Sequence, residues 1–126
     1  MNVLLVDDSE QTRSVERKIL EQLGDVKFAE AGDGLQALLV IAGRTEPFDL
    51  ILIDCHMPNM NGITLARTIR ENDKKTPLVM VSTEADRKHV VLAIRAGVNC
   101  LVLKPFTAEV LLEKVRATLG RLAAAA

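Results

Sequence analysis

Leu50-Ile51-Leu52-Ile53-Asp54 decides the fold: four large aliphatic residues in a row, closed by a carboxylate. No polar residue alternates among them, so both faces must be buried, as in a strand of a parallel sheet covered by helices on each side. Similar runs flank it: Val3-Leu4-Leu5-Val6, Val26-Lys27-Phe28-Ala29, Leu78-Val79-Met80-Val81 and Leu101-Val102-Leu103. The second is broken by Lys27 and is expected at an edge. Segments of helical period separate these runs. Val15, Ile19 and Leu23 precede Gly24, and Leu35, Leu38, Leu39 and Ala42 precede Gly43. Leu65, Ala66 and Ile69 mark a third apolar face, Val90, Val91 and Ile94 a fourth that stops at Gly97, and Leu111, Val115 and Leu119 a fifth. Glycine suits a helix C-terminus, while Ser9 and Thr107 stand where N-caps belong. Strict alternation of five strands with five helices predicts an α/β fold, a doubly wound five-stranded parallel sheet with right-handed crossovers.

The 126 residues suffice for one domain with a single core. A composition 48% hydrophobic and 26% charged is that of a folded chain, and a net charge of −1 gives no electrostatic case for nucleic acid or membrane. Aromatic residues are 2% of the chain, with neither Trp nor Tyr, which leaves little to stack a flavin or a base. The stretch Met1 to Asp8 turns acidic too early for a signal peptide, and no apolar run is long enough for a bilayer, so a cytoplasmic protein is expected. Cys55 and Cys100 have no metal-ligand spacing and are expected as free thiols at opposite ends of the sheet. One domain is expected over residues 1–122. The alanine run 123–126 either continues the last helix or is an artificial addition.

The polar residues that interrupt the apolar runs collect at the carboxyl ends of strands. Asp7 and Asp8 follow the first, Asp54 ends the third, Ser82 and Thr83 follow the fourth and Lys104 the fifth. Open α/β sheets hold ligands at that rim, at the switch point of strand order. If strands one and three are neighbours, three carboxylates converge and require a cation. Oxygen-only ligands favour a hard ion, magnesium above all, and the lack of a His/Cys cluster argues against zinc. A lysine at the same rim would pair with an anion that the metal also binds, and a phosphoryl group satisfies both. Carboxylate nucleophile, divalent cation, lysine and hydroxyl together suit an acyl phosphate on Asp54. Taken singly, each residue has a plainer account: Asp7 and Asp8 at a helix start, Asp54 at a turn, Lys104 on a solvated loop. Their joint place at one rim is what favours chemistry.

Val6-Asp7-Asp8-Ser9, Ile53-Asp54-Cys55-His56-Met57-Pro58, Asn61-Gly62, Ser82 and Lys104-Pro105-Phe106 make the chain resemble a response-regulator receiver domain of the single-domain CheY-like type, from about Asn2 to Leu119. The resemblance implies the flavodoxin-like strand order 2-1-3-4-5, an order for which CheY is itself a standard example. It implies that Asp54 takes a phosphoryl group from a sensor histidine kinase or phosphotransfer protein. Asp8, Asp54 and the backbone carbonyl of His56 would hold Mg2+, with Asp7 acting largely through water. Lys104 would bind the phosphate, Ser82 would be the switch hydroxyl, and Lys104-Pro105 would be cis. Phosphorylation would switch binding of a protein target through the face formed by helix four, strand five and helix five. The flagellar motor switch is the commonest such target, and a phosphorelay is the other setting. A monomer or weak dimer is expected, with no catalysis beyond self-phosphorylation from a donor and self-dephosphorylation.

Three features depart from that pattern or modulate it. Leu101 occupies the place of a usual aromatic switch residue, so aromatic-rotamer signalling is not expected. Thr83 stands beside the phosphate where Ala or Gly is common, and Glu84 and His56 flank the path of an attacking water. The run Asp86-Arg87-Lys88-His89 reads as a solvated helix face before it reads as a contact site. Rival readings are a receiver excised from a larger regulator and a small aspartyl-phosphate phosphatase or phosphotransferase. The latter is disfavoured because Asp7 and Asp8 are adjacent rather than spaced as DxD. Flavodoxin-like electron transfer is disfavoured by the missing aromatics and phosphate loop.

Overall fold

The computed structural model describes residues 1–125. Strands β1 (Asn2–Val6), β2 (Lys27–Ala31), β3 (Leu50–Asp54), β4 (Leu78–Ser82) and β5 (Cys100–Leu103) alternate with helices α1 (Glu10–Leu20), α2 (Gly34–Ala42), α3 (Gly62–Asn72), α4 (Arg87–Arg95) and α5 (Ala108–Ala125). The sheet order is β2-β1-β3-β4-β5, with all neighbouring pairs parallel. The expected fold class and strand order therefore hold. β2 lies at the edge, as its polarity foretold, but runs from Lys27 to Ala31 rather than from Val26 to Ala29. Pairing with β1 sets those limits, Asn2 opposite Lys27 and Val6 opposite Ala31. The alanine run continues α5 as far as Ala125, and Ala126 lies outside the described residues.

The uninterrupted apolar run of β3 divides between two cores, because successive side chains of a strand point to opposite faces. Ile51 and Ile53 pack with Leu65, Ala66 and Ile69 of α3, with Ala37 of α2 and with Ala93 of α4. Leu50 and Leu52 pack with Ile19 and Leu20 of α1 and with Leu111, Leu112 and Val115 of α5. Ser9 caps α1 by accepting from the Thr12 N–H at 3.2 Å, and Thr107 accepts from the Val110 N–H at 3.2 Å. Cys55, just beyond β3, and Cys100, opening β5, are free thiols. Among the described residues no helix is long and apolar enough to cross a membrane.

Several helix faces differ from expectation. Val15, Leu35, Leu39, Val91 and Ile94 are exposed, Leu39 at 74% and Ile94 at 64%. A spacing of four drifts off a 3.6-residue period, and at α2 and α4 the small residues Ala37 and Ala93 take the contact with the sheet. On α1 the inward stripe is Glu16, Ile19 and Leu20, not Val15. That helix ends at Leu20, and a 3-10 turn over Glu21–Leu23 leads to Gly24, whose φ of 115° favours glycine.

The stripe on α1 buries a carboxyl. Glu16 is 2% exposed, and among the described residues its Oε1 has no hydrogen-bond partner. Burial first, and then the charge of Asp7, push its pKa from 4.5 up to about 8, so the folded chain keeps it protonated at neutral pH. A raised carboxyl pKa means that the native state binds the proton more tightly than the unfolded chain. The associated stability is complete below the unfolded value and is lost as pH rises through about 8. Glu16→Leu is therefore expected to raise urea stability by on the order of a few kcal/mol at pH 8.5 and by less at pH 5. Equal gains at the two pH values would show that Glu16 ionisation does not carry the effect.

Candidate functional site

The polar residues singled out from the sequence meet at the carboxyl edge of the sheet. Val6 and Ile53 are register partners across β1 and β3, so the next residue of each strand, Asp7 and Asp54, emerges beside the other. Asp7 and Asp54 are buried while Asp8 is exposed, and one oxygen of each lies within 4.8 Å of the others. Lys104, the first residue after β5, reaches across: its Nζ is 3.0 Å from Asp54 Oδ1 and 3.5 Å from Asp7 Oδ2. Its backbone N–H donates to the carbonyl of Ser82 at 2.7 Å, which ties the β5 exit to the end of β4. Lys104-Pro105 is cis.

Local sequence explains how each group is held. Asp7 Oδ1 accepts from the Ser9 N–H at 2.8 Å, so the residue that caps α1 also orients the first carboxylate. Arg13 reaches back from α1 to the carbonyl of Asp7 and pairs with Glu30 at 2.9 Å. Asn61 caps α3 through the Thr64 N–H at 2.9 Å, and Gly62 opens the helix directly against the end of β3. A Cβ at Gly62 would stand 2.5 Å from the Asp54 carbonyl oxygen, so no larger residue fits unless β3 or α3 shifts. Ser82 is buried, and its Oγ accepts from the Glu84 N–H at 3.0 Å.

Burial raises the pKa of Asp7, and the neighbouring Asp54 charge adds to this, while the Ser9 N–H and Lys104 oppose it. Lys104 is also held above its ordinary value. Burial disfavours its charge, but the bond to Asp54 and the charges of Asp54 and Asp7 outweigh that. Burial pushes the Cys55 thiol up, which leaves it a poor nucleophile beside Asp54. Three carboxylates against one ammonium leave an excess of negative charge. An oxygen-only donor set with one exposed member fits a hard cation that keeps several waters.

Other predicted residues lie around this centre. His56 Nε2 is 3.2 Å from Glu84 Oε1, and both side chains are exposed at the surface. Thr83 is exposed. Pro105 lines a groove with Gln11, Thr12, Val15 and Phe106. Leu101, half-buried on β5, packs toward the core under α4 and borders a cavity of about 110 Å³ with Val90, Ala93 and Ile94. Two residues take places that the sequence reading does not assign them. Glu16 could have been found as the polar member of an i, i+3, i+4 stripe with Ile19 and Leu20. His89, read as part of a solvated face, contacts Glu84 at 2.7 Å, and only the path of the loop after β4 brings those two together.

The model of the response regulator receiver domain family matches residues 3–116. The chain is 42% identical over 117 residues to chemotaxis protein CheY of Pseudomonas aeruginosa, covering 91% of this chain and 93% of that protein. It is 39% identical over 124 residues to chemotaxis protein CheY-3 of Vibrio cholerae, covering 97% and 94%. The solved structure of chemotaxis protein CheY4 of Vibrio cholerae superposes with a TM-score of 0.84 at 30% identity, over 93% of this chain and 97% of that one.

The geometry makes a direct demand on Asp8, the exposed member of the carboxylate set. Asp8→Ala is expected to weaken Mg2+ binding by at least about tenfold, the scale seen even for outer partners of metal ligands. A divalent cation such as Mg2+ is then expected to raise the melting temperature of the unmodified chain, and to raise that of Asp8→Ala by less. An Mg2+-dependent melting shift of undiminished size would remove Asp8 from the site.

Proposed function

The chain belongs to the response regulator receiver domain family, and from that premise we propose that it is a phosphorylation switch in which Asp54 accepts a phosphoryl group. The observation that carries this reading is the convergence on one Asp54 carboxylate of a lysine ammonium and two further carboxylates. A carboxylate oxygen of Asp54 attacks phosphorus, an O–P bond forms, and the bond from phosphorus to the donor breaks. For a phosphohistidine donor, the electron pair returns to the imidazole, which takes up a proton. Lys104 exchanges part of its contact with Asp54 for a phosphoryl oxygen, and the Ser82 hydroxyl supplies a further donor. Asp8 and Asp54, with the backbone carbonyl of His56 and with Asp7 acting through water, are the groups that would hold magnesium, whose contribution when bound is to neutralise phosphoryl charge.

The donor is a sensor histidine kinase or phosphotransfer protein, and the output is altered affinity for a protein target. The surface across α4, β5 and α5 suits that role, since it leaves the large apolar side chains Ile94, Leu103 and Val110 exposed. Relatives named as chemotaxis proteins support a place in chemotaxis with the flagellar motor switch as target, and a phosphorelay is the other setting. With Leu101 at the usual aromatic position, the signal passes through smaller shifts of the loop after β4 and the surface of α4. The chain acts in the cytoplasm, and self-dephosphorylation is its only turnover.

Incubation with acetyl phosphate and Mg2+, followed by intact-mass measurement, is expected to add one phosphoryl group to the unmodified chain and none to Asp54→Asn. Equal labelling of the variant would sink the assignment.

A further inference from the structure

The loops leaving β3 and β4 are joined by a chain of carboxylates and imidazoles. His56 stands two residues after Asp54, and Glu84 stands two residues after Ser82. Glu84 Oε1 lies 3.2 Å from His56 Nε2, and Oε2 lies 2.7 Å from His89 Nε2 on the first turn of α4. The other ring nitrogen of His89, Nδ1, is 2.5 Å from Asp86 Oδ1. That same oxygen caps α4 by accepting from the His89 backbone N–H at 2.9 Å. The backbone of Glu84 is fixed as well, through its N–H to Ser82 Oγ at 3.0 Å.

A glutamate with a 45% exposed side chain on a loop ordinarily samples several rotamers. Here both of its oxygens are engaged by groups from different elements. Asp86 is immobilised by its capping role, so it orients the His89 ring, and that ring presents Nε2 to Glu84. His89 thus acts on the site at one remove. The span from His56 to Glu84 ties together the two loops that begin at Asp54 and Ser82, on the side of the site where β3 meets β4.

Taking Asp54 as the phosphoryl acceptor, we infer that His89 is a positioning residue: held by Asp86, it pins Glu84 against His56 and maintains a bridge that hinders both phosphodonor and hydrolytic water at the Asp54 site. Loss of the pin opens the site to both. Phosphorylation by a small donor and loss of the phosphoryl group therefore speed up together. A purely structural contribution from His89 would change the melting temperature without this paired signature.

The test combines His89→Ala, His89→Gln and Glu84→Ala, each checked by thermal melting, with imidazole NMR and with phosphorylation kinetics using acetyl phosphate. In the unphosphorylated chain, His89→Ala is expected to shift the His56 imidazole signals, although His89 bonds Glu84 and not His56. Both rates should rise about three- to tenfold in the His89 variants, and His89→Ala should add nothing in the Glu84→Ala background. Unmoved His56 signals, rates that are unchanged or fall, or an undiminished effect without Glu84 would each overturn the inference. If the unmodified chain takes up no phosphoryl group, the acceptor reading itself fails and this one falls with it. Normal labelling with unaltered His89 variants would overturn the positioning role alone.

Discussion

Two buried carboxylates stand side by side at the edge of this sheet, and the ammonium of Lys104 between them makes that arrangement tolerable. The pairing of β1 with β3 forces the juxtaposition: once Val6 and Ile53 are register partners, Asp7 and Asp54 have nowhere else to go. Like charges at that separation and burial cost several kcal/mol if left uncompensated. Lys104 meets the need only in part, at 3.0 Å from Asp54 and 3.5 Å from Asp7. What remains is an unsatisfied negative potential open to solvent through Asp8. A site built in this way is stable enough to fold and still short of positive charge, the condition for recruiting a cation and an anionic group together.

Glu16 shows the opposite solution to the same problem. It too is a buried carboxyl near this centre, yet among the described residues no ammonium pairs with it and its Oε1 has no hydrogen-bond partner. It folds in by keeping its proton, with a pKa pushed to about 8 by burial and by Asp7. Asp7 and Asp54 are thus buried against a cation, whereas Glu16 is buried as a neutral acid. The difference matters because only an ionised carboxylate can serve as a metal ligand or a nucleophile. Proximity alone does not recruit Glu16 to the chemistry, and its presence makes the α1 side of the core sensitive to alkaline pH.

Strands proved more legible than helices for a physical reason. In Leu50-Ile51-Leu52-Ile53 every residue is buried whichever face it takes, so the run reports a central strand without any knowledge of its partners. A helix has one inward stripe, and several apolar stripes can compete for it. On α2 the sequence offers five large aliphatics, and packing against the sheet selects Ala37 while leaving Leu35 and Leu39 in solvent. The carboxylate and lysine cluster was readable because strand ends define a rim irrespective of helix packing, and Asp7, Asp8, Asp54, Ser82 and Lys104 all sit at strand ends. The link from His89 to Glu84 was not readable, since it depends on how the loop after β4 turns before α4 begins. Asp86 at the N-cap was the local clue, and it fixes His89 without revealing what the far side of the ring will meet.

Under the proposed function, the same link bears on how a signal would leave the site, since Leu101 stands where the resemblance places an aromatic relay. Ser82 lies at the head of this link, at the end of β4. Its hydroxyl oxygen accepts the Glu84 N–H, and under the proposed switch a hydroxyl drawn toward a phosphoryl group on Asp54 would weaken that bond. Glu84 is anchored in turn to His89, and His89 belongs to the first turn of α4. Displacement at Ser82 therefore bears on the start of α4 through bonded neighbours, with no side chain required to rotate through the core. Ile94 lies on the same short helix, exposed toward any partner. A nine-residue helix has little capacity to absorb strain at one end without moving at the other. Under the proposed function, this polar path along the surface would stand in for a buried aromatic one, at the cost of placing the relay where solvent can reach it.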